Sequence, residues 1–233
     1  MLKRCRPAGP AARPTASGSN GPSDAPTPSR SNACSAPWIA ESPPRRALDA
    51  GSGPLLSLLG HFPDSTELVA TDRSLEFAGD ARRELARARR RGGAVCAGLE
   101  GLPFADERFD FVLSVNCLEF VGDAPRSIAE LHRVAAPGAR LVLAVLHRRG
   151  SWEWARRTLQ PLRSWPYYRG RFFTEEEIAS RLREADWRVD EIQRAVRFPP
   201  LRLPSERWYR WIEPLVPRSR AAVLLVRATR RAR

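Results

Sequence analysis

Ala47-Leu-Asp-Ala-Gly-Ser-Gly-Pro-Leu-Leu56 is an apolar run that ends in a glycine turn and reopens as an apolar stretch. It reads as the first strand, turn and first short helix (Pro54–Leu59) of an open α/β sheet. Gly51 and Gly53 supply the unusual φ values such a turn needs and let backbone N–H groups approach a ligand. Asp49 falls at the carboxyl end of the strand, the edge where open parallel sheets bind ligands. Downstream, Glu67-Leu-Val-Ala-Thr-Asp72 is a second apolar strand closing on an acid, 23 positions after Asp49. That separation fits the acid that takes ribose hydroxyls, about 20 residues on in a nucleotide-binding βαβ unit. A glycine turn alone is a weak signal that also fits an ordinary strand-to-helix connection binding nothing, and the second acid is what favours a nucleoside site.

Working outward, the same alternation repeats. Ser74 caps a helix expected from Leu75 to Arg91, closed by Gly92-Gly93. Ala94–Ala97 reads as a third strand, followed by a loop from Gly98 to Asp110 that is broken at Pro103. Phe111–Val115 is continuously apolar, as a strand covered on both faces must be. Asp123 or Pro125 opens a helix bearing Ile128, Leu131 and Val134 on one face, and Pro137-Gly138 stops it. Arg140–Leu146 is another buried strand, so the fold class is a doubly wound α/β sheet. Beyond it, Ser151–Arg163 has helix-like spacing and Ser164–Gly170 is an aromatic loop. Thr174 with Glu177 makes a capping box for a helix over Glu175–Ala185. Trp187–Val196 and Ala221–Thr229 read as strands joined by a proline-broken excursion over Phe198–Pro217. A long excursion in place of a crossover helix points to an antiparallel pair closing the sheet.

The chain's 233 residues suit one α/β domain with appendages, and 42% hydrophobic residues supply a sizeable core. Residues 1–44 are rich in Pro, Ser, Ala and Gly, carry Trp38 and Ile39 as their apolar landmarks, and are expected to be a disordered tail. The domain is therefore placed at 45–233. A net charge of +13 ordinarily suggests nucleic acid or an anionic membrane surface. Here Lys3 is the sole lysine and the arginines are spread through the chain, which reads as compositional bias, so nucleic-acid binding is a lesser expectation. Four cysteines form no CxxC pair and no metal spacing with the histidines, so no metal is expected. No run reaches the ~18 apolar residues of a membrane span, and a reducing, cytoplasmic setting is the expectation.

The middle of the chain resembles the class I S-adenosylmethionine-dependent methyltransferases, in particular the small-molecule (type 11-like) group. The segments that carry the resemblance are Leu102-Pro-Phe-Ala-Asp-Glu-Arg-Phe-Asp-Phe-Val-Leu-Ser114, Leu118-Glu-Phe-Val121, Glu130-Leu-His-Arg-Val-Ala-Ala-Pro-Gly138 and Phe172-Phe-Thr-Glu-Glu-Glu-Ile178. It implies a Rossmann-like seven-stranded sheet, mostly parallel with an antiparallel last strand, and S-adenosyl-L-methionine as cofactor. Carried over by position, Asp49, Gly51 and Gly53 line the amino-acid end of the donor. Asp72 takes the ribose hydroxyls, Leu99 and Glu100 flank the adenine, and Asn116 lies near the sulfonium. Three positions depart from the pattern. Leu55 stands where a third glycine is usual, Gly98 stands where an adenine-binding aspartate is usual, and the proline-serine tail replaces the helices before the first strand.

Methyl transfer from a sulfonium is an in-line displacement, so positioning dominates and a base is needed only where the acceptor must lose a proton. His147, at the end of the fifth strand, is the candidate base, against the alternative of a solvated loop histidine beside Arg148 and Arg149. Trp152, Tyr167 and Tyr168, with Trp165, form an aromatic acceptor lid or else simply cover the sheet. The expected function is methylation of a small or medium-sized metabolite. The alternatives are a degenerate domain that binds a partner or RNA without turnover and, more remotely, a nicotinamide-dependent oxidoreductase. Neither the acceptor nor the oligomeric state is encoded legibly.

Overall fold

A computed structural model describes residues 38–39, 41–53, 59–158, 169–196 and 217–232. Seven strands form a single sheet in the order β3-β2-β1-β4-β5-β7-β6. They are β1 (Arg46–Ala50), β2 (Glu67–Asp72), β3 (Gly92–Cys96), β4 (Phe109–Val115), β5 (Ala135–Leu146), β6 (Trp187–Ala195) and β7 (Val223–Arg230). The pairs among β1 to β5 are parallel, whereas β7 runs antiparallel to both β5 and β6. The sheet is therefore mostly parallel and its last strand is reversed, as the excursion before it implied. The order turns back between β1 and β4, which opens a crevice at their carboxyl ends.

The helices α1 (Leu75–Arg87), α2 (Ala124–Val134), α3 (Ser151–Thr158) and α4 (Glu175–Glu184) cover the two faces. Strand periodicity assigns each side chain to a face. On β5, Val142, Ala144 and Leu146 join Ala81 and Leu85 of α1 and Trp152 of α3. The intervening Leu141, Leu143 and Val145 join Ile128 and Leu131 of α2 and Leu182 of α4 on the other side. Two dry layers thus sandwich a sheet whose central strands are apolar on both faces.

Local chemistry explains where elements begin and end. Ser74 Oγ accepts the Phe77 N–H, and Thr174 with Glu177 forms the reciprocal capping box. Helix α1 stops at Arg87, short of the expected Arg91. Arg89 takes φ +52° and the N–H groups of Arg89 and Arg90 fold back onto Ala86 and Leu85 carbonyls. β3 consequently starts earlier than expected, at Gly92, where any Cβ would come 1.9 Å from the Leu68 carbonyl oxygen. The first helix expected over Pro54–Leu59 lies mostly outside the described residues, which resume with a 3₁₀ turn at Leu59–His61.

Part of the segment expected to be tail belongs to the packed domain. Trp38 and Ile39 are buried against the α1 side of the sheet, because the Arg140 guanidinium binds the Trp38 carbonyl at 2.7 Å and the Ser42 carbonyl. Arg227 lies over the Trp38 ring and pairs with Glu41.

The segments that read most distinctively in the sequence act as clamps. Asp110 accepts the backbone N–H groups of Arg45 and Arg46, fixing the start of β1 against β4. The Arg133 guanidinium donates to the carbonyls of Leu102 and Phe104 and to Glu130 and Asp106, while Glu130 also accepts the Leu102 N–H. A planar fork can satisfy that many acceptors at once and an ammonium cannot. Arg133→Ala should lower stability by about 2 kcal/mol, roughly 5 °C in a thermal melt, and Arg133→Lys should recover less than half of it. A melt unchanged by either substitution would show that this loop is held by other contacts.

Candidate functional site

The site begins where β1 ends. The N–H groups of Gly51 and Ser52 both reach the Thr71 carbonyl of β2, at 2.8 and 2.9 Å, which swings the chain up from the sheet. Gly51 and Gly53 take φ of +81° and +63°. A Cβ on Gly51 would lie 2.1 Å from Cys117 Sγ, so the glycine lets the segment after β4 close directly onto the turn. Leu99 packs beneath it as a buried support. Ser114 Oγ donates to the Ala50 carbonyl at 2.9 Å and holds β4 to the last residue of β1.

Two acids face this turn. Asp72 Oδ2 accepts the Gly53 N–H at 3.0 Å and Oδ1 the Ser74 N–H at 2.8 Å. Each oxygen keeps a second lone pair for an incoming hydroxyl. Asp49 is 6% exposed, and burial first, then the negative charge of Asp72, pushes its carboxyl up to about 7. A cation brought into the site would draw the proton off and stabilise both acids.

After β4 the chain turns at Asn116, φ +49°, whose N–H binds the Ala144 carbonyl. Both side-chain heteroatoms of Asn116 are buried without a hydrogen-bond partner among the described residues, as are Ser52 Oγ, Thr71 Oγ1 and Glu119 Oε2. Buried polar atoms left unpaired cost of order 1–3 kcal/mol each, so a cluster of them marks a place where a ligand belongs. Glu119 was not singled out from the sequence. Its Oε1 accepts the Leu146 N–H at 2.6 Å and its carbonyl accepts the Arg171 N–H, so it extends the β4–β5 ladder past the point where β4 departs. Burial pushes the carboxyl up to about 8, above the hydrogen bonds that pull it down. The available signal was an acid set between Leu118, Phe120 and Val121 directly after a buried strand.

The remaining candidates divide. Glu100 Oε1 accepts the Gly122 N–H at 2.9 Å, and Oε2 lies 3.2 Å from where a Cβ on Gly98 would stand. An acid therefore occupies the space beside Gly98 even though that residue has no side chain. His147 is buried, not a solvated loop residue. Its Nδ1 is 2.9 Å from the Ala221 carbonyl, and burial lowers its pKa below the ordinary range. Trp152 is fully buried in the core and presents no surface for an acceptor. Leu55, Trp165, Tyr167 and Tyr168 lie outside the described residues. The structure thus brings Asp49, Gly51, Gly53, Asp72 and Asn116 to one crevice, adds Glu119 beside it, and sets His147 at the end of β5 next to β7.

A nucleoside with a cationic amino-acid arm fits these residues. Among the described residues nothing fills the space a Cβ on Gly53 would take, the acid on β2 keeps lone pairs, and the neighbouring buried amide and hydroxyls have no hydrogen-bond partner. Among the described residues no group of acids, histidines and cysteines could hold a metal ion, and no helix is long and apolar enough to cross a membrane.

Residues 48–143 match the family described as a methyltransferase domain. The chain is 38% identical over 121 residues to a 2-phytyl-1,4-naphtoquinone methyltransferase of Synechococcus elongatus, covering 48% of this chain and 50% of that one. It is 35% identical over 117 residues to a malonyl-[acyl-carrier protein] O-methyltransferase of Halorhodospira halophila, covering 47% and 39%. The chain spans about half the length of these relatives or less. Among solved structures, magnesium protoporphyrin IX methyltransferase of Synechocystis, with S-adenosylhomocysteine (SAH) bound, superposes with a TM-score of 0.62 at 17% identity, over 85% of this chain and 81% of that one. At that identity the likeness shows the fold.

Glu119 gives a test of the site's electrostatics. Its ordinary value is 4.5 and its folded value about 8. The stability tied to the neutral carboxyl is full below about pH 4.5 and is lost as pH rises towards 8. Glu119→Gln keeps the shape without the charge, so its melting temperature should gain on the wild type steadily between pH 5 and pH 8. A pH-independent difference would mean that Glu119 ionises freely.

Proposed function

We propose that the chain, whose residues 48–143 match a methyltransferase domain, is a class I methyltransferase that transfers a methyl group from S-adenosyl-L-methionine to a small or medium-sized metabolite. The observation that carries this reading is the pair of acids at the carboxyl ends of β1 and β2, set around a glycine turn whose neighbouring polar atoms are buried without a hydrogen-bond partner among the described residues. The cofactor, when bound, supplies an electrophilic methyl on a sulfonium sulfur.

The chain's own residues then divide the work. Asp72 takes the ribose hydroxyls on its free lone pairs, fixed in orientation by the Gly53 and Ser74 N–H groups. Gly51 and Gly53 open the backbone towards the amino-acid end. Asp49, ionised once a cation is beside it, offsets the positive charge of that end. Leu99 and Glu100 flank the base, with the Glu100 carboxylate serving in place of a side chain at Gly98. Asn116 offers a carbonyl oxygen near the sulfonium, which neutral oxygen dipoles stabilise better than cations do. Holding nucleophile and methyl in near-attack geometry is worth several kcal/mol by itself, of order 7–11 in favourable cases.

His147 is the candidate base for an acceptor that must lose a proton. The Ala221 carbonyl can only accept, so Nδ1 carries the proton and Nε2 is left as the basic nitrogen. Its lowered pKa keeps that nitrogen free at neutral pH. The relatives' names, a naphthoquinone and a malonyl thioester on a carrier protein, supply the first acceptors to try.

Donor labelled in the methyl group, incubated with the full chain and either a prenylated naphthohydroquinone or malonyl-loaded acyl carrier protein, should label one of them. Asp72→Ala should reduce that labelling at least a hundredfold, and His147→Ala should reduce it most at low pH for a hydroxyl acceptor. Labelling that survives Asp72→Ala intact would contradict the assignment of the ribose acid.

A further inference from the structure

Donor binding as proposed above uses only part of the buried polar groups at the crevice. Ser52 Oγ and Thr71 Oγ1 flank the glycine turn, and Asn116 Oδ1 is the oxygen offered near the sulfonium. Asn116 Nδ2 and Glu119 Oε2 are left over, both buried and without a hydrogen-bond partner among the described residues. Asn116 is 9% exposed and Glu119 3%. Buried polar groups are rarely left unpaired, so these two need a ligand of their own.

The ladder between β4 and β5 brings them together. In a parallel pair a residue gives its N–H to one neighbouring carbonyl and its own carbonyl to the N–H two residues further on. Asn116 makes the first of these bonds, to the Ala144 carbonyl at 2.9 Å. At φ +49° the chain then leaves the ladder, and Glu119 Oε1 takes the second place, accepting the Leu146 N–H at 2.6 Å. The Glu119 carboxyl thus stands where the Asn116 carbonyl would in a continuing strand. Burial first, then the charges of Glu119, Asp72 and Asp49, pushes the Cys117 thiol up against the pull of Arg73, so Glu119 shares one neighbourhood with both acids of the donor site.

Both left-over groups are donors. An amide nitrogen can only donate. Glu119 Oε1 is committed as an acceptor and burial keeps the carboxyl protonated up to about 8, so the proton sits on Oε2. An N–H and an O–H this close suit one oxygen with two lone pairs. They suit an ammonium poorly, because its N–H groups need acceptors.

We propose that Asn116 Nδ2 and Glu119 Oε2 form the acceptor subsite and hold one oxygen of a delocalised oxyanion, a carboxylate or an enolate. The anion's second nucleophilic atom is then left for the methyl. An acceptor already in its anionic form has no proton to lose, so Glu119 holds it and does not serve as a base. The subsite rests on the donor site proposed above and adds to it the chemical class of the acceptor.

Calorimetric titration into the full chain saturated with SAH tests it. The probes are malonyl-pantetheine, a carboxylate, 2-hydroxy-1,4-naphthoquinone, an enolate at neutral pH, and phenethylamine, an ammonium. At least one oxyanion should bind and phenethylamine should not. Asn116→Asp puts an oxygen in place of the donating nitrogen, at a φ that Asp tolerates, and should weaken oxyanion binding at least about tenfold. Glu119→Gln keeps an oxygen for the Leu146 N–H and places an N–H donor at the Oε2 position, so its Kd should stay within about threefold of the wild type. Both variants should still bind SAH, which shows them folded.

Tighter binding of phenethylamine than of either oxyanion overturns the proposal. So does equal oxyanion binding by wild type and Asn116→Asp. Loss of binding in Glu119→Gln overturns it as well, since only an ionised carboxylate would be missed there. Binding of none of the probes while SAH still binds overturns the subsite and leaves the donor site standing. Failure of SAH itself to bind the wild type overturns the donor site, and the subsite with it.

Discussion

Two N–H groups converge on one carbonyl at the end of β1, and the rest of the site depends on that convergence. Gly51 and Ser52 can both reach the Thr71 oxygen because Gly51 adopts a φ that a side chain would strain, and because Cys117 then fills the space a side chain would need. The turn lifts Gly53 far enough for its N–H to meet Asp72, which orients the acid of β2. It also leaves Asp49 under the backbone rather than in water, which is why burial dominates its raised pKa. One backbone geometry therefore sets the positions of both acids and the protonation state of one.

Around this point the chain uses side chain to backbone bonds where ladder bonds run out. Ser114 ties β4 to the last carbonyl of β1, Asp110 ties β4 to the first amides of β1, and Glu119 continues the β4–β5 ladder after β4 has turned away. Arg133 and Glu130 fix the Leu102–Asp106 loop. These residues sit in the segments that carried the family resemblance. Their sequence signal is strong because each satisfies several buried backbone groups, a task few other side chains can perform at the same place.

The central architecture was legible because it rests on local, periodic signals. Runs such as Phe111–Val115 and Leu141–Leu146 must be covered on both faces, and the first leads to a helix capped by Asp123. Boundaries were less legible where a long-range contact decides them. The start of β3 at Gly92 depends on how closely Gly92 approaches Leu68, which no local pattern encodes. Trp38 and Ile39 looked like part of a tail because the arginine that anchors them is about a hundred residues away. Trp152 and Trp154 have the same spacing signature in sequence, and only packing shows that one is core and the other surface. Glu119 escaped notice because a lone acid in a short apolar segment resembles an exposed residue until the Leu146 N–H is seen to need it.

The central claim is that the β1 turn and the β2 acid form a donor site, and it is tested most directly by calorimetric titration of SAH into the full chain and into Asp72→Ala. Micromolar binding by the wild type, weakened at least a hundredfold in the variant while its melt stays within a few degrees, is the predicted result. Equal binding by both proteins, or no binding by the wild type, would contradict the account.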